Sequence, residues 1–181
     1  GYIVTANNKS TVKPVGAVKD LQGYWQPGDR AGRIEALLEE QPTWSLEELQ
    51  AIQLDDRALA APDIVTVATG ALTAASQNLS PIESNALAVL EAWDFRHGVD
   101  ASGAAIYQLL CTMIMREALL DEMGETCFNT YGSLADHWNF FKWFMQTPES
   151  AYWDNITTPE KESREEIITQ AFREAVAYLE A

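Results

Sequence analysis

Few side chains in this sequence of 181 residues have the type and spacing of a reaction centre. The two histidines, His97 and His137, are not spaced as a metal-binding pair with a carboxylate between them, so no metal ligand is predicted. Cys111 lies in the most apolar stretch of the chain and is expected to be a buried thiol, and Cys127 forms no CxxC pair with it. The sequence therefore favours neither a zinc site nor a disulfide framework.

An asparagine pair and an arginine form the most promising group of polar side chains. Asn7 and Asn8 follow the apolar segment of residues 2–5, and Arg30 comes some twenty residues later. A side-chain amide can donate to a developing oxyanion without carrying a charge, and a guanidinium can organise several acceptors at once. Taken singly, each has an ordinary explanation, because Asn-Asn turns are common after strands and Arg30 could be a helix-start residue paired with Asp29.

The order of several short motifs resembles the penicillin amidase family of N-terminal nucleophile hydrolases. In that family a strand ends in an Asn-Asn pair, and a loop then leads to an arginine that opens a helical region. The resemblance covers most of the chain, and the ordered set is more specific than any single motif. The motifs that carry it are GYIVTANNKS from Gly1, Arg30-Ala31-Gly32-Arg33-Ile34, SLEELQAIQLDD from Ser45, LEAWD ending at Asp94, and SGAAIYQLL from Ser102.

The resemblance implies a serine at the start of a mature β-chain, which attacks an amide carbonyl with its own α-amino group as general base. It implies that Asn7 is part of the oxyanion hole and that Arg30 holds this asparagine and the amino terminus of the nucleophile in place. Asn8 and Arg33 match supporting positions. Because nothing before Asn7 matches the serine, we expect it to lie upstream of this chain and expect the chain alone to be inactive.

The implied parent is an amidase or acylase that cleaves the linear amide bond of N-acyl compounds such as penicillins or acyl-homoserine lactones. This chain would be a piece of the β-subunit, excised from an αββα fold, and its partner would be the remainder of the same enzyme. No cofactor is expected in the chain, although calcium is carried by many members of the family and Asp20 is a weak candidate ligand. A periplasmic or secreted location is implied by the resemblance alone, and residues that bind the substrate are not predicted.

Charge restricts the other partners. The chain has 27 acidic and 12 basic residues, which gives a net charge of -15 at pH 7. Such a surface repels phosphate backbones and anionic membranes, so neither nucleic acid nor a membrane is an expected partner. The longest apolar stretch, from Ala104 to Met115, is too short to span a bilayer and predicts a buried helix.

Helical periodicity and capping signals predict the elements that would position these side chains. Residues 1–12 are predicted to form a core strand and the Asn-Asn turn, residues 13–28 a loop, and residues 29–181 a domain of six or seven packed helices. Ser45 and Ser80 each stand three residues before a glutamate, which is the pattern of a capping box at a helix start. The predicted fold is therefore mainly α, with a short N-terminal β-strand.

Three further helices are predicted in the C-terminal half of the chain. A central helix runs from about Ser102 to Gly124, and an aromatic helix opens at Gly132-Ser133. The last helix is predicted to begin at Thr158-Pro159, with acidic residues in its first turn.

A non-catalytic helical module that binds another protein is the alternative interpretation. The run of aromatic residues from Trp138 to Phe144 and the acidic surface resemble an interface surrounded by charge. The two interpretations differ in geometry. The enzyme requires Asn7 and Arg30 close together at an open edge, whereas the module requires them far apart and Trp138 to Phe144 lining an exposed groove.

Overall fold

The structure, a computed structural model, describes residues 1–11, 13, 16–17, 19–133 and 137–181. The predicted mainly helical fold is confirmed. One-turn 3-10 helices lie at Ser76–Asn78 and Ala151–Trp153. The seven α-helices of the described residues are α1 (Asp29–Glu39), α2 (Leu46–Gln53), α3 (Ala61–Ala74), α4 (Pro81–Glu91), α5 (Ser102–Gly132), α6 (His137–Met145) and α7 (Arg164–Glu180).

The N-terminal segment is extended, but residues 1–11 do not form the predicted strand. Their one ladder-like contact is an isolated parallel bridge between Asn8 and Gln26. A strand needs a neighbouring strand to pair its N–H and C=O groups, and the described part of the chain contains none. Ile3 is accordingly 93% exposed. The predicted loop of residues 13–28 lies partly outside the described residues, as does residue 12.

Capping boxes start α2 and α4 at the positions that the sequence predicts. The hydroxyls of Ser45 and Ser80 accept hydrogen bonds from the backbone N–H groups of Glu48 and Glu83. In return, the two glutamates accept from the backbone N–H groups of the serines at 2.7 and 2.6 Å. Both halves of each box are formed, which fixes the first helical turn locally.

The last helix begins later than predicted. α7 begins at Arg164, after Ser163, whose capping box with Glu166 is complete. The predicted start at Thr158-Pro159 is wrong because the third residue after Thr158 is Lys161, which cannot close a capping box. Thr158 instead donates its hydroxyl to the Glu162 carboxylate at 2.7 Å, within the loop that precedes the helix.

α5 is the central helix of the bundle and packs against α4 and α7. By length and composition this helix could cross a membrane. However, 56% of its most apolar stretch of 18 residues is buried inside the bundle, as in the core helix of a folded domain. It continues past its predicted end to Gly132. Gly124, at φ 68° and ψ 159°, interrupts the helical geometry there, and this conformation is one that glycine adopts without strain.

The apolar core is formed mainly by the five helices from α3 to α7. Among the described residues, the core cluster begins at Ala61 and includes buried side chains of α3, α4, α5, α6 and α7. Trp93, which is 7% exposed, lies so close to α5 that a methyl group on Gly103 would stand 2.5 Å from it. α1 and α2 contribute nothing to this cluster and lie at its edge.

Candidate active-site edge

Asn7 and Arg30 are in direct contact, as the enzyme interpretation requires. The Arg30 guanidinium donates a hydrogen bond from Nη2 to Oδ1 of Asn7, across 23 residues of sequence. Both residues are exposed. The contact joins the N-terminal segment to the first turn of α1, at an open edge of the molecule.

The backbone of Asn7 is held in a special conformation. Its φ of 63° lies in the left-handed region, where asparagine is one of the few tolerated residues besides glycine. The backbone N–H of Gln26 donates to the Asn7 carbonyl at 2.9 Å. The backbone N–H of Ala6 donates to Oδ1 of Asn8 at 3.1 Å. The residues on both sides of Asn7 are therefore fixed, and its side chain is directed towards Arg30.

The contact determines which end of the Asn7 amide faces outward. A guanidinium has only donors, so the atom that faces Arg30 must be the carbonyl oxygen, and the Nδ2 amino group must point elsewhere. Among the described residues, no acceptor contacts Nδ2 of Asn7. A neutral amide with two available N–H donors is a suitable group to stabilise an oxyanion.

Two ion pairs hold α1 beside this edge. Asp29, which directly precedes Arg30, accepts a hydrogen bond from the ammonium group of Lys142 of α6 at 3.1 Å. Arg33 donates from Nε and Nη2 to the two carboxylate oxygens of Asp55, both at 2.7 Å. The Arg33 guanidinium lowers the pKa of the Asp55 carboxyl, so this pair stays charged well into the acidic range.

A cavity of about 740 Å³ lies on the inner side of α1, and Arg30 is among its lining residues. Its size is within the range of roughly 300–1,000 Å³ that is usual for small-molecule sites. The walls are mostly apolar and come from α1, α2, α3, α5 and α6 and the loops beside them. They include Ile34, Leu37 and Leu38 of α1, Leu49 and Ile52 of α2, and Ile64 of α3.

The other residues with chemical potential are not gathered at this edge. Cys111 is fully buried, and burial raises the pKa of its thiol, as expected for an unreactive core cysteine. Cys127 is exposed. His97 contacts the ring of Trp93 edge-on, and the side chain of His137 lies outside the described residues. Asp20 forms an ion pair with Lys9 at 2.6 Å. No group of three metal-ligating side chains occurs among the residues that the structure describes.

Most of the aromatic helix α6 packs into the core. Phe141 and Phe144 are fully buried. Phe144 stacks on Trp153 with ring centroids 3.7 Å apart. Trp143 is 55% exposed, and Trp138 is half-buried and lines the cavity of about 740 Å³. Because Asn7 contacts Arg30 and the two phenylalanines are buried, the described residues do not have the geometry that the interaction-module interpretation requires.

Comparison with known families identifies the kind of protein to which this edge belongs. A family model described as penicillin amidase matches residues 1–181. The chain belongs to the penicillin amidase family. Amide hydrolysis is the activity that this membership supports at the level of the family.

Similar curated proteins are acyl-homoserine lactone acylases, each called QuiP. The protein of Pseudomonas syringae pv. tomato is 27% identical over 199 residues, and the match covers 97% of this chain. The protein of Pseudomonas aeruginosa is 26% identical over 200 residues, and the match covers 99% of this chain. In both cases the match covers 23% of the relative, so this penicillin amidase chain spans about a quarter of the length of these relatives.

The residues that hold α1 in place are not indicated by any motif of the sequence. Asp55 lies in the motif SLEELQAIQLDD, but nothing in the spacing shows that it pairs with Arg33. Lys142 lies in the aromatic segment, 113 residues after its partner Asp29. Both contacts join distant parts of the chain, and the one available signal is that Lys142 is an isolated charge among aromatic residues.

Proposed function

We propose that this chain is the part of an N-terminal nucleophile amidohydrolase that supplies the oxyanion donor of the active site. The observation that carries the proposal is the hydrogen bond from Arg30 to Oδ1 of Asn7. It orients the asparagine amide so that its N–H donors face outward, at an exposed edge. Family membership supplies the reaction class, which is hydrolysis of a linear amide bond.

In the proposed reaction, the hydroxyl of an N-terminal serine outside this chain attacks the substrate carbonyl carbon and gives its proton to the α-amino group of the same serine. Negative charge develops on the carbonyl oxygen, and Nδ2 of Asn7 donates a hydrogen bond to it. Arg30 keeps the amide in this orientation. Its positive charge also polarises the amide and strengthens the N–H donor. When the tetrahedral intermediate collapses, the C–N bond breaks and the α-amino group returns the proton to the leaving amine. Water then hydrolyses the acyl-serine ester and releases the acid.

N-acyl compounds are the proposed substrates, because the similar proteins are named as acyl-homoserine lactone acylases. The remaining parts of the same enzyme are the proposed partner, and they would bring the serine to the exposed edge at Asn7. A periplasmic or secreted location is part of the same proposal. The 181 residues alone are proposed to be inactive.

The test compares the full-length protein with the 181-residue chain. Both are assayed with chromogenic phenylacetyl amides, long-chain acyl amides and acyl-homoserine lactones, with released amine or acid as the readout. We expect turnover by the full-length protein and none by the chain alone. Turnover by the pure chain would show that its nucleophile lies within these residues, and a full-length protein inactive on all three substrate classes would contradict the proposed reaction.

A further inference from the structure

α1 carries Arg30, yet apolar packing anchors this helix weakly. Only Ala31 of its residues is buried, and the core cluster of the described residues does not include it. The apolar side chains Ile34, Leu37 and Leu38 face the cavity of about 740 Å³ instead of a packed core. Polar contacts must therefore do most to fix the orientation of α1, and with it the position of the Arg30 guanidinium.

Among these polar contacts, the ion pair between Arg33 and Asp55 has the most restrictive geometry. Two parallel hydrogen bonds of 2.7 Å join the planar guanidinium to the carboxylate. The carboxylate side chain is 10% exposed and the arginine side chain 20% exposed. A bidentate pair of this kind restricts both the distance and the angle between its partners, which a single point charge would not do.

Asp55 is itself connected to the core. Nη1 of Arg96 lies 3.6 Å from the Asp55 carboxylate and 3.0 Å from that of Asp56. An antiparallel bridge joins Arg57 to Arg96, and Nε1 of the buried Trp93 donates to the Arg96 carbonyl at 2.8 Å. Asp55 is thus held by a segment that is fixed to the tryptophan of the core.

Helix geometry transmits this restraint to the active-site edge. Arg30 and Arg33 are three residues apart, so they lie on the same face of α1, one turn from each other. Fixing Arg33 against Asp55 fixes the rotation of α1 about its axis. Arg30 then meets Oδ1 of Asn7, while the pair between Asp29 and Lys142 holds the first turn.

We propose that Asp55 is a positioning residue for Arg30, acting through its bidentate pair with Arg33. Asp55 lines the same cavity as Arg30, but both of its carboxylate oxygens accept hydrogen bonds from Arg33, so its proposed role is to position α1. It would set the orientation of α1, so that Arg30 binds the Asn7 amide and the amide can donate to the oxyanion. This inference rests on the proposed function of Asn7 and Arg30, and it adds a residue that lies two positions after α2.

The kinetic test uses the full-length protein with the substitution Asp55→Asn, which keeps the size of the side chain but removes its charge. We expect kcat to fall by about 10- to 100-fold, the range caused by small displacements of catalytic groups, with little change in KM. In an Arg30→Ala background the same substitution should cause no further loss of kcat, because the residue through which Asp55 acts is gone. Asp55→Glu, which restores the charge, should recover part of the activity.

A control and an independent measurement make the test decisive. Asp100→Asn removes an exposed carboxylate from the loop before α5 and should leave kcat unchanged. In the 181-residue chain, NMR of the Asn7 side-chain NH₂ group should show a shifted or broadened signal in Asp55→Asn and an unchanged signal in Asp100→Asn. Circular dichroism would show whether each variant keeps its helices.

Three results would overturn the inference: an unchanged kcat in Asp55→Asn, an unperturbed Asn7 amide signal, or losses from Asp55→Asn and Arg30→Ala that multiply in the double variant. Multiplying losses would mean that Asp55 affects kcat independently of Arg30. If the full-length wild type hydrolyses no amide, the proposed function fails, while the NMR measurement still decides whether Asp55 positions the edge.

Discussion

Replacing Asn7 separates its backbone role from its side-chain role. Asn7→Ala and Asn7→Gly both remove the amide, but they differ in the cost of the backbone conformation. A φ of 63° is unfavourable for alanine by about 1–2 kcal/mol, whereas glycine adopts it without this strain. If the amide donates to the oxyanion, both variants lose that hydrogen bond equally.

The expected loss follows from the geometry of one neutral donor. Removing a single oxyanion-hole donor of this kind costs roughly 2.7–4 kcal/mol, which is about a 100- to 1,000-fold fall in kcat. We expect this fall in both variants of the full-length protein, with Asn7→Ala at least as low as Asn7→Gly. KM should change less, because the bond is strongest in the transition state.

The substitutions at Asn7 should leave the thermal stability of the helical bundle nearly unchanged. A loss of 1 kcal/mol in the core of a chain of this size would lower Tm by about 2–4 °C. Because the core cluster of the described residues begins at Ala61, the cost at Asn7 stays in the local turn and Tm of the 181-residue chain should hardly move.

Activity of the full-length protein is measured with a chromogenic acyl amide, and Tm of the chain by circular dichroism. Asn129→Ala, at an exposed asparagine of α5, is the matched control and should keep full activity. The reasoning is refuted if Asn7→Gly keeps its kcat. It is also refuted if only Asn7→Ala loses activity, because backbone strain and not the amide would then explain the loss.

Three further substitutions test the fold. Gly103→Ala places a methyl group 2.5 Å from Trp93 and should destabilise the chain by about 1–3 kcal/mol in urea unfolding. Ser163→Ala removes the cap of α7 and should cost about 1 kcal/mol in the same assay. Partial desolvation and the neighbouring Asp121 raise the pKa of the exposed Glu122 to about 7, so the folded state binds more protons and stability falls as pH rises from about 4.5 to 7. Glu122→Gln should flatten this fall.

Each of these has a matched control. A methyl group on Gly70 of α3 would meet nothing within 4 Å, so Gly70→Ala should keep or raise stability. Ser102→Ala replaces a serine that makes no cap at the start of α5 and should be nearly neutral. Glu125→Gln, which removes a carboxylate of the same helix beyond the kink, is the control for the pH profile of stability. Equal effects in a variant and its control would contradict the corresponding prediction.

Local signals were predicted well because they depend on neighbouring residues. The capping boxes at Ser45 and Ser80 lie within four residues of sequence, and both are formed. The same rule would have placed the start of α7 correctly, since Ser163 and Glu166 have the spacing that Thr158 lacks. A Thr-Pro pair is a weaker signal of a helix start than a complete capping box.

The candidate site could be predicted only in part. The order of motifs indicated that Asn7 and Arg30 belong together, and the structure brings them into contact. Nothing local indicated the left-handed backbone of Asn7 or the pairing of Arg33 with Asp55. Those features depend on how segments far apart in the chain meet.

By itself, the sequence determined the helical class, the starts of α2, α4 and α5, the acidic net charge and the two candidate edge residues. Periodicity, capping and charge are properties of short segments, so they can be read without a fold. Only the tertiary structure decided that the N-terminal segment is not a strand and that α6 is core. It also decided how α1 is held by ion pairs to Asp55 and Lys142. The physical reason is that a strand, a buried aromatic ring and an ion pair each need another segment of the chain as a partner. Which segment becomes that partner depends on the tertiary fold.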